Sequence, residues 1–91
     1  MIDQNKITHE WLKKGFSCGV FQDFPDQRRE DYIYEVDELF LVVEGDAKNE
    51  ITGKKFRLRP GEEIFIPAKV VHSVRSIGRR TSRWLYGYKR E

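Results

Sequence analysis

Short stretches in which apolar and polar residues alternate, each closed by glycine, proline or aspartate, fill most of this chain. A strand sends successive side chains to opposite faces, so alternation of this kind predicts β-structure. The exception lies at the amino end. There Thr8 can cap a short helix over His9-Glu10-Trp11-Leu12-Lys13-Lys14, with cations in its last turn and Gly15 free to take the left-handed terminating conformation. Phe16 to Gln22 then reads as a first strand and Phe24-Pro25-Asp26 as the turn that closes it. The charged segment Gln27-Arg28-Arg29-Glu30-Asp31 reads as a solvated connection.

From Tyr32 the alternation is informative. Tyr32, Tyr34, Val36, Glu38, Phe40 and Val42 fall on one face of a strand, and Ile33, Leu39, Leu41 and Val43 fall on the other. Both faces become apolar towards the end, as expected of a sheet covered on both sides. Gly45-Asp46 turns the chain, Ala47 to Ile51 returns, and Thr52-Gly53 is the flexible pair of a hairpin into Lys54 to Leu58. Arg59-Pro60-Gly61-Glu62 has proline second and glycine third, the arrangement of a type II turn. Glu63 to Ile66, Val70 to Ile77 and Arg83 to Tyr88 complete the strands, separated by Pro67-Ala68-Lys69 and by Gly78 to Ser82. The pattern predicts an all-β antiparallel sandwich or jelly-roll barrel with one short N-terminal helix. We divide it as one domain over residues 1–91, an extension at 1–15 and a barrel at 16–88.

Composition sharpens this picture. A chain of 91 residues forms one domain and buries only a little over about 60% of its unfolded surface. With 38% hydrophobic and 35% charged residues, a monomer that also houses a cavity has a lean core, so a homodimer is expected. The 17 basic residues against 15 acidic ones are interspersed, and no nucleic-acid partner is expected. The one basic concentration, Arg75, Arg79, Arg80, Arg83, Lys89 and Arg90, reads as a solvated loop and tail. Cys18 is the lone cysteine and reads as a small buried apolar residue, and no secretory leader pattern opens the chain, so the cytoplasm is the expected compartment. The apolar run Leu39 to Val43 falls far short of a bilayer span, and no membrane partner is expected.

Two blocks carry candidate chemistry. One runs from Glu38 through Leu39-Phe40-Leu41-Val42-Val43 to Gly45, the other from Gly61 through Pro67 to His72. Together they resemble the paired motifs of the cupin superfamily of small β-barrels, in its small single-domain, conserved-barrel form. The resemblance covers about Phe16 to Tyr88. It implies that Tyr32, Tyr34, Glu38 and His72 point into the barrel, and that a metal is usually held by two histidines and a glutamate from the first block and a histidine from the second. Here Tyr32 and Tyr34 stand at the two first-block histidine positions, Glu63 near a position where the family often has aspartate, and Lys69 where it often has glycine.

Three readings of these residues stand at this point. A divalent transition metal, in an enzyme of oxygenase or isomerase type, would use Glu38 and His72, but such sites take three or more protein ligands and a phenol gives up its proton only near pH 10. A non-catalytic structural or sensor domain would let the buried carboxylate and imidazole satisfy each other. The reading we carry forward is a stand-alone barrel that binds a small polar molecule without a metal. In it Tyr32, Tyr34 and Phe40 contact the ligand, and Glu38 and His72 bind it or move a proton on it as the candidate catalytic pair. His9 is expected on the exposed end of the helix, while Trp11, Trp84, Tyr86 and Tyr88 divide between core and interface. The ligand's identity is not written in the sequence.

Overall fold

The computed structural model describes residues 2–23, 28–32, 34–77 and 81–90, with the backbone alone at 23 and 28–32. One helix, α1 (Gln4–Lys13), precedes eight strands: β1 (Gly19–Asp23), β2 (Arg28–Tyr32), β3 (Glu38–Glu44), β4 (Asp46–Ile51), β5 (Lys54–Leu58), β6 (Glu63–Ile66), β7 (His72–Ile77) and β8 (Ser82–Tyr88). They form two antiparallel four-stranded sheets of order β1-β8-β3-β6 and β2-β7-β4-β5. Consecutive strands thus alternate between the sheets except at the β4–β5 hairpin, which is a jelly roll.

The turns form where the backbone demands particular residues. Thr52 (φ 47°) and Gly53 (φ 87°) are both left-handed, the conformation of a two-residue hairpin whose twist matches its strands. Between β5 and β6, Gly61 (φ 91°) follows Pro60, and the Glu62 amide donates to the Arg59 carbonyl at 3.0 Å. The Gly61 amide also donates to the Val42 carbonyl at 2.8 Å, tying this turn to β3.

β3 is buried on both faces because both sides are covered. Phe40 and Val42 pack between the sheets with Ala47, Leu58, Ile66, Val74 and Trp84. Leu39 and Leu41 face outward and are covered by Trp11, Phe16 and Leu85. Trp11 of α1 is 1% exposed, and its indole Nε1 donates to Glu63 Oε1 on β6 at 2.8 Å. The helix sits this close because Gly87 lacks a side chain: a Cβ there would meet Trp11 and the backbone of Ser17.

Several expectations are corrected. The helix begins at Gln4, not His9, because Asp3 caps it by accepting from the Lys6 amide at 3.1 Å. Thr8 lies inside the helix and donates to the Gln4 carbonyl, while Gly15 (φ 85°) follows the end as expected. The segment read as a solvated loop contains β2, an edge strand paired with β7, and its charged residues are those an edge tolerates. The strand expected from Tyr32 to Val43 is broken. β2 ends at Tyr32, and β3 begins at Glu38 in the other sheet.

The backbone of the crossing segment 34–37 bonds to distant loops: the Lys69 amide donates to the Tyr34 carbonyl (2.7 Å), the Lys89 amide to the Asp37 carbonyl (2.8 Å), and the Ala68 amide to Asp37 Oδ1 (2.8 Å). β7 starts at His72 rather than Val70, after Lys69 takes a left-handed φ of 64°, and Asp46 belongs to β4, leaving Gly45 (φ 81°) to make the bend. The turn expected at 24–26 and most of the 78–82 connection lie outside the described residues. Among the described residues no helix is long and apolar enough to cross a membrane.

Candidate functional site

Glu38 opens β3 and His72 opens β7, so the two residues stand on opposite sheets at the same end of the barrel. The register places Glu38 opposite Ile66 and Tyr88, and His72 opposite Ile51 and Tyr32. Their side chains, 8% and 6% exposed respectively, meet across the interior with His72 Nε2 at 3.3 Å from Glu38 Oε1. The approach is close enough for an ion pair, but its angle leaves Glu38 Oε1 without a well-formed hydrogen bond.

On the other side of the ring, His72 Nδ1 lies 3.3 Å from the Val70 carbonyl. Burial, the largest single influence, pulls the imidazole's pKa down. The hydrogen-bonding contact with Glu38, the Val70 carbonyl and the charge of Glu38 together outweigh it and hold the value above 6.5. With an acceptor beside each nitrogen, the surroundings favour the imidazolium.

Tyr34 reaches this pair from the crossing segment. Its ring centroid is 5.4 Å from that of His72 and 4.9 Å from that of Tyr88. Burial, a hydrogen bond with Tyr34 and the charge of Glu38 raise the Tyr88 pKa well above the ordinary phenol value, so Tyr88 is a neutral hydroxyl.

Below these groups lies a cavity of about 220 Å³. Its polar end is formed by Glu38, His72, Tyr34 and Tyr88, and its apolar wall by Phe21, Phe40 and Trp84. Trp84 stacks on Phe21 with centroids 5.8 Å apart and lies 5.2 Å from Phe40. Asn49 of β4 also faces the cavity; it is 1% exposed, and its Oδ1 has no hydrogen-bond partner.

The structure therefore brings together Glu38, His72, Tyr34 and Phe40 of the predicted set. Tyr32 is placed only through its backbone, opposite His72. Tyr34 reaches the cavity from a crossing segment instead of the strand of Glu38. Trp84, Tyr86 and Tyr88, read as core or interface, are cavity residues. Their spacing of two along one strand was the available signal. Asn49 was missed; its signal was a lone amide between Ala47 and Ile51 on an inward alternation.

Cys18 is half-buried beside the second core cluster, with its Sγ 3.4 Å from Thr8 Oγ1, and His9 is exposed on α1. Of the basic concentration, Arg79 and Arg80 lie outside the described residues. Arg75 and Arg83 lie on different sheets, Arg83 paired with Glu44 at 3.2 Å, and Lys89 sits 5.2 Å over the Phe16 ring.

The donor set does not fit the metal that the cupin motifs imply. Glu38 and His72 supply two ligands, and among the described residues no third histidine, cysteine, aspartate or glutamate joins them. Tyr34 and Tyr88 bond to each other as phenols, and Tyr88 is held further from the phenolate a metal requires.

The sequence profile of the cupin domain matches residues 25–88. Among curated proteins, 3-hydroxyanthranilate 3,4-dioxygenase of Xenopus laevis is 35% identical over 74 residues, covering 76% of this chain and 24% of that enzyme. This chain thus spans about a quarter of that relative's length. Among solved structures, the Cnp3 cupin domain of Schizosaccharomyces pombe superposes with a TM-score of 0.78 at 17% identity, covering 85% of this chain and 57% of the other. The cupin domain of an XRE family transcriptional regulator from Enterobacter cloacae gives 0.77 at 18% identity, with 89% and 88% covered. At these identities the structural likeness speaks for the fold. A domain profile matched over most of the chain, on a jelly roll with a glutamate and a histidine facing each other inside it, identifies this chain as a member of the cupin domain family.

Proposed function

We propose that the barrel binds a small polar molecule in the cavity beside Glu38 and His72, with Tyr34 at its polar end and Phe40 on its apolar wall. The observation that carries this reading is open space next to a buried charged pair. A purely structural pair belongs in a filled barrel, whereas a cavity of about 220 Å³ here exceeds the roughly 150 Å³ that suffices for benzene in an engineered core. Polar groups buried at the edge of such a space are costly unless a ligand uses them. The pair is also equipped for proton transfer, since a carboxylate and an imidazolium beside two phenols can give a proton to a bound group or accept one. Turnover is the finer part of the proposal, and binding is its base.

The test is a small-molecule screen by thermal shift, followed by titration of each hit against His72→Gln, with circular dichroism confirming that the variant is folded. Affinity for the hits is expected to fall at least tenfold. Unchanged affinity for every hit would refute a role for the pair.

The 35% identical dioxygenase raises a metal-dependent reading, but the two-ligand donor set gives no step to assign through a metal. Stoichiometric transition metal in elemental analysis of the purified protein would reverse that preference.

A further inference from the structure

The polar atoms around the cavity are not balanced. His72 Nε2 stands 3.3 Å from Glu38 Oε1 without a well-formed hydrogen bond, and its Nδ1 stands 3.3 Å from the Val70 carbonyl. Tyr34 and Tyr88 share a hydrogen bond. The Tyr86 hydroxyl lies against Gly19, where a Cβ would come within 2.8 Å of it, at the β1 side of the wall. What is left unfilled is acceptor capacity, on Glu38 Oε1 and Asn49 Oδ1. Turning the Asn49 amide end for end would exchange its acceptor for a donor, but the Glu38 carboxylate has no such freedom and fixes the sign.

Charge points the same way. No lysine or arginine is among the described residues lining the cavity, and the negative charge of Glu38 is already set against His72. An anionic group entering this space would face two oxygens and, among the described residues, no lysine or arginine to offset its lost hydration. A hydroxyl, amine or ammonium would instead satisfy them.

Shape supplies the third constraint. Phe21, Phe40 and Trp84 make an apolar aromatic wall in a volume suited to one substituted ring.

We infer that the cavity selects a single-ring ligand whose polar group donates hydrogen bonds and carries no negative charge, with Asn49 as a specificity-determining residue. This rests on the reading of the cavity as a ligand site. Asn49 opposes Val74 on β7 and Phe56 on β5, so its amide is carried by a central strand and held to one position. Such placement lets one buried amide discriminate strongly between ligands that do and do not bring a matching group.

Four probes of one size separate the possibilities: toluene, benzyl alcohol, benzylamine and benzoate, titrated into the intact protein at pH 7 and followed by NMR shifts of the cavity residues. Benzyl alcohol and benzylamine are expected to bind at least tenfold more tightly than toluene, and benzoate more weakly than toluene. In Asn49→Leu the advantage of benzyl alcohol over toluene shrinks several-fold while toluene still binds. Asn49→Asp, an independent variant should leucine disturb the fold, shifts preference further towards benzylamine. Benzoate binding as tightly as benzyl alcohol, or all four binding equally, overturns the selectivity while leaving the cavity as a ligand site. Failure of all four, toluene included, overturns the cavity reading and the selectivity with it.

Discussion

Replacing both Glu38 and His72 by leucine is expected to cost less stability than replacing either alone, and the order of the two single variants should invert with pH. The pair is nearly sealed from water, with side chains 8% and 6% exposed, so bulk solvent does little to rescue a stranded partner. Removing one member of a buried pair typically costs about 3–5 kcal/mol, whereas exchanging both for apolar groups is often neutral. A stranded group escapes by neutralising, and this sets the pH dependence. An ordinary glutamate carboxyl titrates near 4.3 and an ordinary imidazole near 6.5, at about 1.36 kcal/mol per pH unit. At pH 6.5, protonating a stranded carboxylate therefore costs about 3 kcal/mol, and deprotonating a stranded imidazolium costs about nothing. At pH 4.5 the figures become about 0.3 and about 2.7 kcal/mol. His72→Leu should be the worse variant at pH 6.5 and Glu38→Leu the worse at pH 4.5, with a crossover near pH ~5.4. Urea unfolding of the wild type, both single variants and the double at four pH values measures this directly. For a domain of this size a loss of about 3 kcal/mol moves the midpoint by on the order of 2–3 M. Additive costs within about 0.5 kcal/mol at every pH, or no change in rank, would show that the two groups are not coupled across the barrel.

Three further outcomes follow from the same geometry. His72 has its folded pKa raised above 6.5, so its stabilising contribution is complete below pH 6.5 and lost as pH climbs through the raised value; wild-type stability should fall in that window, and a His72→Leu variant should lack the step in its denaturation profile. Asn49→Leu should stabilise the ligand-free protein by about 1–3 kcal/mol, because an apolar group replaces a buried amide oxygen that has no partner, and calorimetry should register a rise of about 4–8 °C per kcal/mol. Gly87→Ala should destabilise by several kcal/mol, since the added methyl collides with the Ser17 backbone and Trp11, and an unchanged melting temperature would contradict the close seating of α1 on β8.

What could be read from the sequence divides along a physical line. The Thr52-Gly53 hairpin and the Pro60-Gly61 turn were legible because their backbones need residues that few other positions need. That Leu39 and Leu41 are covered was visible as a strand apolar on both faces, whereas the sequence did not show that Trp11 covers them. The break between Tyr32 and Glu38 was not, because the bonds that hold it come from Ala68, Lys69 and Lys89, and alternation within 32–43 cannot register partners so remote. β2 was read as loop because an edge strand has no need of an apolar alternation. Within the site, Glu38 and His72 came from their two motif blocks. Asn49 has no motif, and its meaning depends on which strand faces it across the barrel.

The strand order also has a consequence for how the molecule is made. β8 lies in the middle of its sheet, between β1 and β3, yet it is the last of the eight strands to leave the ribosome. Until Ser82–Tyr88 emerges, β1 has no neighbour, β3 keeps an open edge, Trp84 is missing from the cavity wall, and Trp11 lacks the Gly87 surface it packs on. The β2-β7-β4-β5 sheet can pair before then, but the β1-β8-β3-β6 sheet cannot close. The nascent chain carries the unpaired, wholly apolar edge of Leu39 to Val42 until β8 has been made, and a product truncated before β8 is a natural substrate for chaperones and proteases.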